Sequence, residues 1–98
     1  MRVISKKIRA SARGQDCTLR LEPCNFNPET TVLAHLNGGG MGTKKHDIFG
    51  AFCCSSCHDE CDRRTMKMDK DAVELAFRQG VERTQLYWLH TGYITINK

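Results

Sequence analysis

No run of apolar residues in this 98-residue chain approaches the roughly 20 needed to cross a bilayer, so a membrane-spanning helix is not expected. The basic stretch 1–14 has no apolar segment behind it, so no secretory signal is expected either, and the reading is a protein of the reducing cytoplasm. Internal repeats and low-complexity segments are absent, and the length fits one domain, 1–98. The net charge of +4 is too small to imply a polyanion partner by itself.

What the chain does have is cysteine and an uneven charge distribution. Six cysteines in so short a chain, in a reducing compartment, are better metal ligands than disulfides, and a metal would staple a core that a small domain builds with difficulty. Residues 1–20 carry +5, residues 21–62 carry −4 and residues 63–98 carry +3. An acidic middle suits divalent cations and basic flanks suit a polyanion.

The pattern predicts an α+β chain with a basic N-terminal arm (1–14), a cysteine knuckle and hairpin-plus-helix unit (15–65), and a C-terminal helix (69–92). Ser5 to Arg13 can form a short helix capped by Ser5 and stopped by Gly14, or a loosely docked arm; in either form Lys6, Lys7, Arg9 and Arg13 are candidates for phosphate contacts. Cys17 and Cys24 flank Thr18 to Leu21, which alternates like a strand. A strand over Thr30 to Leu36 would deliver His35 at its end. Gly38 to Gly42 must be a loop, and Asp47 to Cys53 returns as a second strand. Ser55 or Ser56 would cap a helix through Cys57, His58, Cys61 and Asp62. Asp69 opens a helix whose stripe of Val73, Ala76, Phe77, Gly80, Thr84, Tyr87 and Trp88 has the spacing of a core-facing side, and Gly92 ends it. Tyr93 to Ile96 would add a terminal strand.

Two metal roles separate on ligand chemistry. A closed tetrahedral zinc site wants four soft ligands, which Cys17, Cys24, Cys54 and Cys57 supply; sets that use Cys53 or Cys61 remain open, and otherwise these two read as small buried residues. His58 follows Cys57 on another face of the helix and shares its face with Asp62 one turn on. That pair offers a nitrogen and an oxygen to a divalent cation (Mg2+, Mn2+ or Zn2+) while leaving coordination positions open. His35 is the candidate general base, because imidazole titrates near neutral pH, whereas His46 and His90 read as surface residues.

A histidine ending one strand, a glycine loop, an acid before the second strand, and C-x-x-C-H entering a helix together resemble the HNH, or ββα-metal, nuclease motif. The runs Ala12-Arg13-Gly14, Asn27 through His35, Cys57-His58-Asp59-Glu60 and Asp62-Arg63-Arg64-Thr65 resemble more closely the small YbcO-type nucleases of lambdoid phages and prophages, over about Ile8 to Gly92. The resemblance implies metal-dependent hydrolysis of phosphodiester bonds, in DNA before RNA. His35 would activate water, Asp47 would orient His35, His58 with Asp62 would hold the catalytic ion, and Lys44, Arg63 and Arg64 would contact phosphates. Many HNH enzymes have Asp or His as a further ligand where this chain has Ala34, a gap that Asp47 could fill with an oxygen. The alternative is therefore a zinc-stabilised nucleic-acid- or protein-binding module that keeps the shape without the catalysis. A redox role for Cys54 and Cys57 lacks the surrounding βαβ pattern.

Overall fold

The strand Ala51–Cys53 (β2) is the element on which the other parts converge. It pairs antiparallel with Val32–Ala34 (β1), with Val32 opposite Cys53, Leu33 opposite Phe52 and Ala34 opposite Ala51. Strand alternation sends successive side chains to opposite faces. Ala51 and Cys53 accordingly enter a cysteine-rich cluster with Cys17, Leu19, Leu21, Cys24, Val73 and Phe77, while Phe52 enters a second cluster with Ile8, Ala12 and Trp88. In this computed structural model, which describes residues 6–35, 46–62 and 64–95, the two-stranded sheet thus lies between two small cores.

A two-stranded sheet leaves its outer backbone groups exposed unless something covers them. Here the Phe52 N–H donates to Thr84 Oγ1 (3.0 Å), and the Phe52 carbonyl accepts from the N–H and the Oγ1 of Thr18 (2.8 Å each). The C-terminal helix (α3, Lys70–Thr91) and the cysteine knuckle are thereby tied to the same strand residue. The stripe read from the sequence is the buried side of α3: Val73, Phe77, Gly80, Thr84 and Trp88 are buried, with Ala76 and Tyr87 partly covered beside them. Asp69 caps the helix through the N–H of Asp71 (3.0 Å), and Gly92, at φ 85°, ends it. Gly80 permits the close crossing over the knuckle, since a Cβ there would lie 2.6 Å from Leu19 Cδ1 and 2.8 Å from Thr18 Oγ1.

The basic N-terminal stretch is docked. Its helix (α1, Lys6–Ala10) continues as turns to Gly14, at φ 80°, and buries Ile8 and Ala12. Trp88 Nε1 donates to Ser11 Oγ at 2.8 Å, which satisfies the one polar atom of a fully buried indole. The Ser5 cap expected for this helix lies outside the described residues.

Several elements differ from the sequence reading. Thr18 to Leu21 is not a strand, because Arg20 adopts a left-handed φ of 50°. The strand expected over Thr30 to Leu36 is β1 alone within the described residues, preceded by a 3-10 turn, Pro28–Thr30, that Asn27 caps. The second strand begins only at Ala51, since Asp47–Phe49 forms another 3-10 turn. Tyr93 and Ile94 form no strand: the Ile94 N–H returns to the Trp88 carbonyl (3.3 Å), and both side chains pack on the Trp88 cluster. No helix among the described residues is long and apolar enough to cross a membrane.

Candidate functional site

The sulfurs of Cys17, Cys24, Cys54 and Cys57 lie within 4.8 Å of one another, all buried, and could hold a metal ion. Tetrahedral coordination with metal–sulfur bonds of about 2.3 Å places the sulfurs roughly 3.8 Å apart. Cys24 Sγ and Cys54 Sγ are 3.7 Å apart. Backbone amides surround the cluster in the way thiolates favour: Arg20 N–H points at Cys17 Sγ (3.5 Å) and Cys57 N–H at Cys54 Sγ (3.4 Å), and Phe26 N–H serves Cys24. Among the described residues, Arg20 and Phe26 are the non-glycine residues with positive φ, 50° and 53°. Each is therefore held in a disfavoured backbone conformation at a residue whose amide faces a cysteine.

The thiols are unequal. Hydrogen bonds from Cys53 and Cys57 hold the pKa of Cys17 far below the ordinary thiol value, and the donors Cys53 and Cys57 are pushed up by the same contacts. Burial raises Cys24. Cys53 and Cys61 are buried beside the cluster without joining its four ligands, so the alternative sets using them are not the ones assembled.

The helix Ser55–Cys61 (α2) starts at Cys54, whose sulfur accepts from the Cys57 N–H; neither serine is the cap. The serines fasten the knuckle instead. Asn25 Nδ2 donates to Ser55 Oγ (3.0 Å) and Ser56 Oγ (3.3 Å), and the Ser55 N–H donates to Thr30 Oγ1 (3.2 Å). Sequence alone favours serine as a cap, but here the Cys54 sulfur already takes the Cys57 N–H and fixes the helix start.

The second centre lies where β1 ends. Asp47 is fully buried, and both of its oxygens accept from Arg9 Nε, at 3.1 and 3.0 Å. His35 Nε2 is 3.4 Å from Asp47 Oδ1, an electrostatic contact rather than a well-formed hydrogen bond, and that nitrogen is itself buried. Burial holds the pKa of His35 below the ordinary imidazole value, against the opposing pull of the Asp47 carboxylate and a backbone hydrogen bond to His46. Both Asp47 oxygens thus meet Arg9, and Oδ1 also lies beside the His35 imidazole. Ala34 is 1% exposed and packs in the cysteine-rich core.

On α2, His58 Nε2 lies 3.5 Å from Asp62 Oδ2, one turn on, as the spacing predicts. Both are partly exposed, and among the described residues no third His, Cys, Asp or Glu completes a tight group with them. The pair supplies two hard-to-borderline donors with room for water or substrate oxygens, a fit for a weakly held divalent ion.

The expected basic residues have separate surroundings. Arg9 carries Asp47, Lys7 Nζ sits 5.5 Å from the Tyr93 ring centroid, and Arg64 lies 3.5 Å from Asp59. Lys6 and Arg13 are exposed, His46 stacks edge-on against Phe49, and His90 is exposed. The glycine loop, Lys44 and Arg63 lie outside the described residues.

Two residues escaped the sequence reading. Glu60 is fully buried and accepts from Thr65 Oγ1 (2.7 Å), Lys67 N–H (3.2 Å) and Met68 N–H (3.0 Å), fixing the turn from α2 into α3. Its signal was positional, since it shares the inner side of α2 with Cys57 and Cys61. Thr31 is buried with no partner for Oγ1, and nothing in the sequence marked it.

Comparison with known proteins places this arrangement. A solved structure described as "Structure of a putative bacteriophage protein from Escherichia coli str. K-12 substr. MG1655" superposes with a TM-score of 0.78 at 42% identity, covering 88% of this chain and 100% of that one. "Putative nuclease YbcO" of Escherichia coli (strain K12) and "Putative nuclease ybcO" of Enterobacteria phage 82 are each 44% identical over 91 residues, 89% of this chain and 95% of theirs. The family model described as "Putative nuclease YbcO" matches residues 6–93, and the chain belongs to that family.

Proposed function

We propose that this protein is a metal-dependent endonuclease of the HNH type, hydrolysing phosphodiester bonds of nucleic acid, DNA in the first place. The observation that carries the reading is the buried Asp47 carboxylate held against His35 at the end of β1, with a histidine–carboxylate pair on the helix that follows β2. His35 takes the proton from the attacking water, and Asp47, fixed by Arg9, keeps the imidazole oriented. A divalent cation at His58 and Asp62 would supply charge stabilisation on the phosphoryl and leaving oxygens. The four-cysteine group holds a structural Zn2+, and the protein works in the cytoplasm of a bacterial host carrying the phage or prophage.

A second reading is favoured by Ala34: the position where HNH enzymes often hold a further ligand is packed into the core. In that reading the chain is a zinc-stabilised binding module. Plasmid DNA, single-stranded DNA and RNA incubated with magnesium or manganese separate the two. The nuclease reading expects nicking that His35→Ala and His58→Ala abolish, and binding without metal-dependent nicking, or nicking indifferent to both substitutions, sinks it.

A further inference from the structure

An open cleft of about 450 Å3 runs between α1 and β1, lined by Arg9, Ala10, Arg13, Thr31, Val32, Leu33 and His35. Strand alternation puts Thr31, Leu33 and His35 on the same side of β1. Thr31 is 5% exposed, and its Oγ1 has no hydrogen-bond partner. A buried hydroxyl left unpaired is uncommon in a folded protein, so Thr31 holds a donor with no acceptor among the described residues in its present rotamer. The surrounding charge indicates its sign. Among the described residues Arg13 makes no ion pair, and Arg9 meets Asp47 through Nε, with its terminal nitrogens able to take another acceptor.

We propose that this cleft binds a phosphate of the nucleic-acid strand flanking the one that is cut, with Arg13 and the outer edge of Arg9 neutralising it and Thr31 Oγ1 donating a hydrogen bond after a χ1 rotation into the cleft. The inference rests on the nuclease reading and adds a subsite to it. Thr31 and His35 are four residues apart along extended chain, about 13 Å, so the anion at Thr31 is not the one beside His35. The cleft therefore sets the register of the strand relative to the base.

The test is binding of a short fluorescein-labelled DNA strand to the full chain as purified, without magnesium or manganese, across a salt series. Arg13→Gln is expected to weaken binding and to reduce the slope of log K against log[salt] by about one. Thr31→Val is expected to weaken binding about three- to tenfold at an unchanged slope, because a neutral hydroxyl releases no counterion. Thr31→Ser retains binding, and the Thr31→Val melting temperature does not fall, which separates lost contact from lost fold. In the 15N-labelled protein, the strand moves amide signals of residues 10–13 and 31–33. Unchanged affinity in both Arg13→Gln and Thr31→Val overturns the proposal, as does a strand that binds while leaving the amides of residues 10–13 and 31–33 unmoved. Intact cleft binding without metal-dependent nicking overturns the nuclease reading alone, whereas nicking that persists while both variants bind normally overturns the cleft alone.

Discussion

At the scale of single residues, the centre at the end of β1 is governed by competition between burial and charge. Burial wins at His35 and keeps its pKa under the ordinary value of 6.5. The neutral imidazole, the form a base needs, therefore survives below pH 6.5, and the acid limb of kcat/KM for DNA nicking is expected below that value. Asp47→Asn removes the charge that raises the His35 pKa and should move the limb lower still. For stability the sign is the same: below pH 6.5 the unfolded chain binds more protons than the folded one. The contribution is full above that pH and is lost as pH falls through the folded pKa, which melting curves across the window would register. Glu60 behaves differently, because its carboxylate serves backbone donors of the turn after α2. Glu60→Ala strands those amides and should cost about 2–4 kcal/mol, read by urea denaturation; Glu60→Gln keeps one carbonyl acceptor and should cost less.

At the scale of elements, the fold depends on how closely α3 crosses the knuckle. Gly80→Ala gains helix propensity of about 1 kcal/mol but drives a methyl into Leu19 and Thr18. Overpacking costs about 1–3 kcal/mol and should prevail, lowering the melting temperature. Relief would require the Leu19 and Thr18 side chains to move away, in which case the displaced Thr18 loosens its bonds to the Phe52 carbonyl and the cysteine cluster feels the change. Element boundaries were where sequence reasoning missed most. The helix stripe of α3 was legible because burial follows a 3.6-residue period. The ends of the strands were not legible, because the turn at Asp47–Phe49 is set by where the Asp47 carboxylate must sit against Arg9, a contact between residues far apart in the chain.

At the scale of the whole molecule, two small cores share one two-stranded sheet, and neither is large. A metal bound to four thiolates would join the knuckle, β2 and α2 into a single cooperative unit. Strong chelation is expected to lower the melting temperature sharply and broaden the transition, checked by calorimetry with metal analysis. Cys54→Ser should lose the ion and reproduce that loss, whereas Cys53→Ala should retain the ion and cost less, the packing of one small buried side chain and its thiol's bond to Cys17.

Spacing and residue type made legible the α+β class, the C-terminal helix face and the pairing of His58 with Asp62, and narrowed the six cysteines to a few ligand sets, of which the structure assembles Cys17, Cys24, Cys54 and Cys57. Each is a matter of spacing along a regular element or of soft metal-ligand residue types gathered in a short chain. Only tertiary packing shows that Arg9 holds Asp47, that Glu60 is buried, that Cys54 rather than serine starts α2, and that Thr31 lines a basic cleft with its hydroxyl buried and without a partner among the described residues. These are long-range matters of burial: whether a polar side chain meets solvent, a partner or nothing depends on which distant segment packs over it, and no local pattern encodes that.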